Sequence, residues 1–459
     1  PRNHSLCYQK ISPPRNKSPP FNQMTYTPLH KSNHCTQPWR RGYYAALDIG
    51  STKIICLIGK GKPNGILHVE GYGWCQSAGI HNGAITDLRL AEAAIRYAIA
   101  EAEIMAERSI KRIIVNLPCG HPVSRVFNIP FRVGKRVVTD TVLQHVAIAA
   151  RQQAATKNRK IIHILPINFI VDDTECVLDP RGYLCDILNA RIHIIDAADT
   201  PLTNLQTLLA RIDLKVEGFV VSPLASSLSV LDVDEYTIDT TVIDIGGDTT
   251  SFALFDKGRV LHTGFINLGG THITHDIAHR LNTSTLNEAE RIKTLFGSVE
   301  LTTPMEHDMI SVELRDNHIP HMEHVSRYQL CHIIRPRIEE IFRQVREQLS
   351  NAGFTIDIRK RFVITGGGSL LDNISSVAEQ NLTPYGFNKS NPNTSCTVRL
   401  GHPKYVSGIP YSNTASFSTS IGLLKWTMST NSPFGSIKYR KPQPTSLLQK
   451  LVSVLRKDS

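Results

Sequence analysis

The sequence predicts an α/β fold of two duplicated lobes carrying an inserted α+β subdomain. Three observations predict it. Asp48-Ile49-Gly50-Ser51-Thr52-Lys53 and Asp244-Ile245-Gly246-Gly247-Asp248-Thr249-Thr250 lie 196 residues apart, each after an apolar, strand-like run. The hairpin pattern that follows the first string recurs after the second. Short strands around one helix, from about 118 to 197, interrupt the first copy.

The first lobe reads as a strand over 44–47, a turn, a strand over 54–58, a Pro63-Asn64-Gly65 turn and a strand over 66–72. A helix over 88–108 follows, with Leu88, Ala91, Ile95, Ala98, Ile99, Ala102 and Met105 on one face. Residues 113–117 return as a strand. The insertion then reads as short strands over 123–129, 161–165 and 187–195 around a helix over 139–155. A helix over 202–212 and an apolar run from Lys215 to Val221 close the first copy. The second copy begins at Thr240, with strands over 252–255 and 260–267 joined at Lys257-Gly258. Helical segments follow over 274–281, 287–295 and 327–352. Pro336 should kink or restart the last of these.

Each Asp-Ile-Gly string ends a strand in a sharp turn that presents successive backbone N–H groups and hydroxyls, an arrangement suited to phosphate oxygens. The Asp has a separate role. Carboxylates at Asp48 and Asp244 can hold Mg²⁺ through water, because that ion keeps most of its hydration shell. Glycine after a buried strand is also ordinary turn chemistry, so the weight lies on the pairing: two such hairpins face to face would clamp a polyphosphate. A third cluster, Gly366-Gly367-Gly368-Ser369, follows Phe362-Val363-Ile364-Thr365. Its bare backbone would let a flat purine approach closely. The three together point to a nucleotide.

At 459 residues the chain exceeds the usual size of one core. Its net charge of +11 divides unevenly: +7 over residues 1–41, +6 over 425–459 and −2 over the body between them. Basicity confined to the ends removes the nucleic-acid signature from the body; a basic end is usually a solvated segment, and it can also meet an acidic surface such as anionic lipid or nucleic acid. Nine cysteines form no C-x-x-C pair, which fits a reducing cytoplasm. No apolar run approaches membrane-spanning length, and the first forty residues lack a signal-peptide core. Residues 1–41, rich in Pro, Ser, Asn and Gln, read as a disordered basic extension.

Residues 427–444 read as a flexible linker, and 445–459 as an amphipathic helix. On a wheel of 100° per residue Leu447, Leu448, Leu451, Val452, Val454 and Leu455 share one arc, while Lys450, Arg456 and Lys457 lie opposite. Such a helix either docks on its own domain or lies in an anionic lipid interface; the tether and the cations favour lipid.

With these residues in place, the chain resembles FtsA, the bacterial divisome family of the actin/Hsp70/sugar-kinase superfamily. The resemblance covers residues 43–459 and extends to Gly269-Gly270-Thr271-His272-Ile273-Thr274-His275-Asp276-Ile277-Ala278, Ala289-Glu290-Arg291-Ile292-Lys293 and Ser416-Phe417-Ser418-Thr419-Ser420-Ile421-Gly422-Leu423-Leu424. It implies an actin-like ATPase fold: a first lobe over 42–117 and 198–222, an insertion over 118–197, a second lobe over 223–271 and 355–426, and a helical or mixed subdomain over 272–354. It implies ATP and Mg²⁺ as cofactors, with Asp48, Gly50, Ser51, Thr52 and Lys53 on the phosphates from one side. Asp244, Gly246, Gly247, Thr249 and Thr250 would meet them from the other, with Gly269 and Gly270 nearby. Glu290 and Lys293 would line the ribose and adenine, although their i, i+3 spacing equally suits a surface ion pair. Gly366, Gly367, Gly368 and Ser369 would lie beneath the nucleoside. Asp248 stands where the family's turn carries a third glycine; a carboxylate there could repel the nucleotide or help hold metal or water.

As for function, the resemblance implies a peripheral adaptor at the cytoplasmic face of the inner membrane, at the division septum. It would bind the FtsZ C-terminal peptide, self-associate into filaments and recruit later division proteins, with at most slow ATP hydrolysis. Arg335 and Arg337 lie where the family docks FtsZ, though arginines on a helix face are often simply solvated. The alternatives are an adaptor of another membrane assembly, such as the type IV pilus, or a small-molecule kinase of the same fold.

Overall fold

The computed structural model describes residues 39–429, apart from 41, 63–64, 82, 302–307, 317–318, 355–359, 384–395 and 410–414. The 445–459 helix, nearly all of its tether and the Pro63-Asn64 part of the expected turn lie outside the described residues. So do residues 1–38. The described body starts before the sequence boundary at 42, and Trp39 pairs with Ser429 in an antiparallel bridge.

Two sheets carry the fold. The first has the order Lys215–Val220, Arg112–Asn116, Tyr44–Ile49, Lys53–Gly61, Leu67–Gln76 and Val406–Ser407. The second has the order Thr397–Leu400, Arg361–Thr365, Thr240–Ile245, Thr250–Asp256 and Arg259–Ile266. Reading each from its parallel edge, the same three parallel strands are followed by the same antiparallel meander. Even the register repeats. Tyr44 opposes Gly59 and Ile49 opposes Ile54, while 196 residues later Thr240 opposes Phe255 and Ile245 opposes Thr250. Thr240–Ile245 is buried along its whole length, which explains an apolar run without alternation.

Helix Leu88–Ala106 covers the first sheet and is capped by Asp87, whose carboxylate accepts the Arg89 and Leu90 N–H groups at 2.8 and 3.0 Å. Its small residues do the packing. A Cβ on Gly71 or Gly73 would come within 2.1 Å of the Ala102 or Ala98 carbonyl, so the helix backbone rests directly on the strand. Leu88 and Met105, expected on the buried face, are instead exposed at its ends.

The insertion is an antiparallel sheet ordered Val123–Val137, Leu184–Ala198, Arg159–Val171 and Glu175–Val177, with helix Asp140–Ala154 packed against it. Its strands run longer than expected. Val123–Val137 continues through Pro130, which a strand at the edge of a sheet tolerates. Arg159–Val171 passes Pro166 at a register shift.

Helices Ser222–Val230 and Ser418–Met428 lack an amphipathic signature in the sequence, because they are buried nearly all round. They cross between the lobes at Gly422, where a Cβ would lie 1.7 Å from the Ala225 carbonyl. The hairpin Met309–Asp316 with Ile319–Ser326 was also not anticipated. Helix Arg327–Asn351 starts at a capping box between Ser326 and Gln329 and runs through Pro336 without the restart that proline suggested.

Candidate nucleotide site

Both Asp-Ile-Gly strings end central strands and turn in the same way. The Gly50 N–H donates to the Lys53 carbonyl at 2.9 Å, and the Gly246 N–H donates to the Thr249 carbonyl at 2.9 Å. Glycine is needed at both turns for the same reason: a Cβ would come within 2.8 Å of the Lys53 oxygen or 2.9 Å of the Thr249 oxygen. The turns meet across a cleft of about 360 Å³, lined by Asp48 to Lys53 from one side and by Asp244, Gly246, Gly247, Asp248 and Thr249 from the other. They touch at Gly247, where a Cβ would sit 2.4 Å from the Thr52 methyl group.

Each aspartate is held by a polar side chain that the sequence reading gave no role. The Asn116 amide donates to Asp48 Oδ1 at 2.8 Å and its carbonyl oxygen accepts the Ile49 N–H at 2.8 Å. Thr419 Oγ1 donates to Asp244 Oδ2 at 2.9 Å. A signal existed for Asn116, an amide closing the apolar strand Ile113-Ile114-Val115; Thr419 lies in a family string but had none of its own. Burial, and next the charge of Asp244, push the Asp48 pKa up to about 7 against the pull of Lys53. Burial also raises Asp244 and lowers Lys53, whose ammonium lies 5.7 Å from the Phe417 ring centroid. Two buried carboxylates whose proton affinity is raised, with a lysine beside them, form a donor set suited to a hydrated divalent cation and a polyanion.

The remaining candidates fall into two groups. Gly366 and Gly367 line the cleft, and Gly366 packs on Asp244: its φ is 88° and a Cβ would lie 2.4 Å from Asp244 Oδ1. Gly368 packs on Ile245, and Ser369 is buried with its hydroxyl donating to the Gly366 carbonyl at 2.7 Å. The Thr250 hydroxyl faces inward, donating to the Leu268 carbonyl at 2.8 Å. Gly269 and Gly270 buttress the second turn. The N–H groups of Gly270 and Thr271, at the start of helix Gly270–Leu281, donate to the carbonyls of Gly246 and Gly247 at 2.9 Å each.

Lys293 donates to the Gly270 carbonyl at 3.0 Å and to Glu290 at 2.6 Å, and Glu290 also accepts the Thr274 hydroxyl at 2.5 Å. This pair is therefore anchored to the base of the same turn rather than paired only at the surface, but it does not line the cleft itself. Arg335 and Arg337 lie elsewhere, on the long helix. Arg337 makes a fork to Asp276 at 2.8 and 3.0 Å and reaches Glu340 at 2.7 Å, while Arg335 holds Glu339 at 2.8 Å and Gln380 at 3.2 Å. Neither is simply solvated.

Fold and cleft define a class: a duplicated, actin-like α/β protein with an insertion in its first lobe. Solved structures share the architecture. A chain of the PilM-PilN type IV pilus biogenesis complex aligns with a TM-score of 0.59 at 16% identity, over 84% of this chain and 98% of its own. MreB 5 of Spiroplasma citri bound to AMPPNP aligns at 0.52 and 13%, over 84% and 96%. At these identities the likeness is one of fold.

Sequence comparison goes further. The family profile described as "Cell division protein FtsA" matches residues 241–422, and that of the "SHS2 domain inserted in FTSA" matches 119–196. Cell division protein FtsA of Agrobacterium fabrum is 35% identical over 392 residues, 83% of this chain and 86% of that protein. Those of Neisseria meningitidis and Escherichia coli K12 are 32% and 26% identical, over 83% and 84% of this chain and 89% and 90% of theirs. The chain belongs to the FtsA family.

Proposed function

We propose that this chain is an ATP- and magnesium-binding adaptor of bacterial cell division, which ties FtsZ filaments to the cytoplasmic face of the inner membrane at the septum. The observation that carries the nucleotide reading is the pair of turns with the same ladder register, the same Gly N–H closure and a shared cleft. The residues fit the ligand, since glycines keep the cleft clear where side chains would fill it and the two aspartates are fixed by Asn116 and Thr419. Asp48 and Asp244 would hold the magnesium, Lys53 would balance phosphate charge, and Ser51, Thr52 and Thr249 would offer hydroxyls from opposite lobes. When bound, the metal neutralises the polyphosphate.

A ligand gripped by both lobes favours the arrangement that brings them together, and that arrangement presents the surfaces for self-association and later division proteins. The amphipathic segment 445–459 is a modest anchor alone; repeated along a filament it becomes avid. An acidic FtsZ peptide reaching Arg335 and Arg337 exchanges for Asp276, Glu339 and Glu340, which already hold these guanidinium groups in place. No side chain in the cleft is assigned as a water-activating base, and hydrolysis is at most slow.

Co-sedimentation with liposomes and FtsZ tests the adaptor. The full chain should carry FtsZ into the pellet, and a chain ending at residue 444 should leave both in solution. Equal pelleting of the two forms overturns the anchor.

A further inference from the structure

The described body begins and ends at one point. Beyond the Trp39–Ser429 bridge, the Arg40 N–H donates to the Met428 carbonyl at 3.0 Å, and Trp39 packs over Gly61, where a Cβ would meet the ring at 2.3 Å. The seven Lys and Arg of residues 1–41 and the six that follow Ser429 therefore join the body side by side. This junction lies at the start of strand Tyr44–Ile49, and the phosphate turn lies at its other end, about 20 Å away.

The body around the junction is cationic too. Arg40, Arg108, Lys111 and Arg112 are exposed, and Lys60 and Lys62 are partly so. The Arg108 guanidinium stacks 3.7 Å from the centroid of Tyr43, and Lys60 Nζ lies 3.3 Å from the Tyr43 hydroxyl. Tyr43, Arg108, Lys111 and Arg112 line a hollow of about 600 Å³. The opposing charges are few: Glu70 pairs with Lys60, Glu217 lies 3.6 Å from Arg112, Glu103 accepts the Ile110 N–H at 2.6 Å, and Glu107 is exposed. Among the described residues no carboxylate lies within 4 Å of the Arg108 or Lys111 side-chain nitrogens.

We propose that this end of the first lobe is an electrostatic face for anionic lipid. It works with the terminal helix, and so rests on the membrane-adaptor reading above. Only fifteen residues, 430 to 444, separate this junction from the terminal segment, and on the scale of an ordinary linker that number reaches about 20 Å, so seating the segment in a bilayer brings this face to the headgroups. Each Lys or Arg held near an anionic leaflet strengthens binding roughly fivefold and is screened by salt within about 8–10 Å. The cleft, at the far end of the strand, then faces the cytoplasm.

The test uses the full chain, sedimented with vesicles of phosphatidylcholine alone or with 30% phosphatidylglycerol. R108E/K111E should bind the anionic vesicles at least tenfold more weakly, bind neutral vesicles as before, and show a shallower salt dependence. A chain lacking residues 1–38 should fall between the two. K111E alone, which leaves the Tyr43 stack intact, should show a smaller loss of the same kind, and unchanged thermal midpoints establish folding. Charge-reversed protein that binds anionic vesicles like the parent overturns the proposal. So does a loss confined to a 30-base-pair DNA duplex, which would assign the cations to nucleic acid. Deleting 445–459 keeps the two readings apart: if that deletion leaves binding intact the adaptor reading fails, whereas indifference to charge reversal in the full chain sinks only the lipid face.

Discussion

At the scale of single residues, the cleft is decided by atoms that are missing. Gly247 leaves room for the Thr52 methyl group, so Gly247→Ala should push the turns apart and weaken ATP at least tenfold in a fluorescence titration. Parent-like affinity would mean that the turns do not close on a shared ligand. Asp248 is buried beside them and lines the cleft. Its charge has the same sign as a triphosphate, so Asp248→Gly should tighten ATP by roughly tenfold, with the gain shrinking as salt rises. Weaker binding by this variant would instead assign the carboxylate to metal or water. Both turns could be read in the sequence because Asp-Ile-Gly is short and contiguous. Asn116 and Thr419 could not, since each acts on a residue far away in the chain, at separations of 68 and 175.

At the scale of elements, the lobes are joined by two helices whose crossing depends on Gly422. Gly422→Ala would place a methyl group against the Ala225 carbonyl and should cost about 1–3 kcal/mol of stability in urea unfolding. The insertion is tied to the second lobe by a polar chain: the Ser124 hydroxyl lies 2.6 Å from His193 Nε2 and 3.2 Å from His262 Nδ1. Burial pushes His193 down to about 3 and His262 to about 4 from an ordinary 6.5. Below pH 6.5 these two histidines therefore bind more protons in the unfolded chain than in the native one, and their contribution to stability is lost as pH falls toward 4, against the opposite contribution of Asp48. Urea unfolding at pH 7 and pH 5 should show this fall, and His193→Gln should reduce it; an unchanged difference would remove His193 as its cause. Elements with one wet face were legible from periodicity. The helices 222–230 and 418–428 were not, because a segment buried all round has no polar face to set its period.

At the scale of the whole molecule, ligand binding and stability are one measurement. ATP with magnesium at a hundred times its dissociation constant should add about 2.7 kcal/mol to unfolding, and chelating the metal with EDTA should remove most of that. A shift that ignores EDTA would exclude a magnesium-linked site. The duplicated architecture was legible because each copy carries its string at the same place in the same meander. The described body reaches back to Trp39, three residues before the expected boundary at 42, because Trp39, set among cations and prolines, gains partners from Gly61 and from Ser429 at the far end of the body. That bridge has a topological consequence. With residues 39 and 429 already neighbours, the polypeptide between them is nearly a closed ring, and a short Gly-Ser splice joining them should allow new ends to be cut in an exposed loop elsewhere without loss of the native fold.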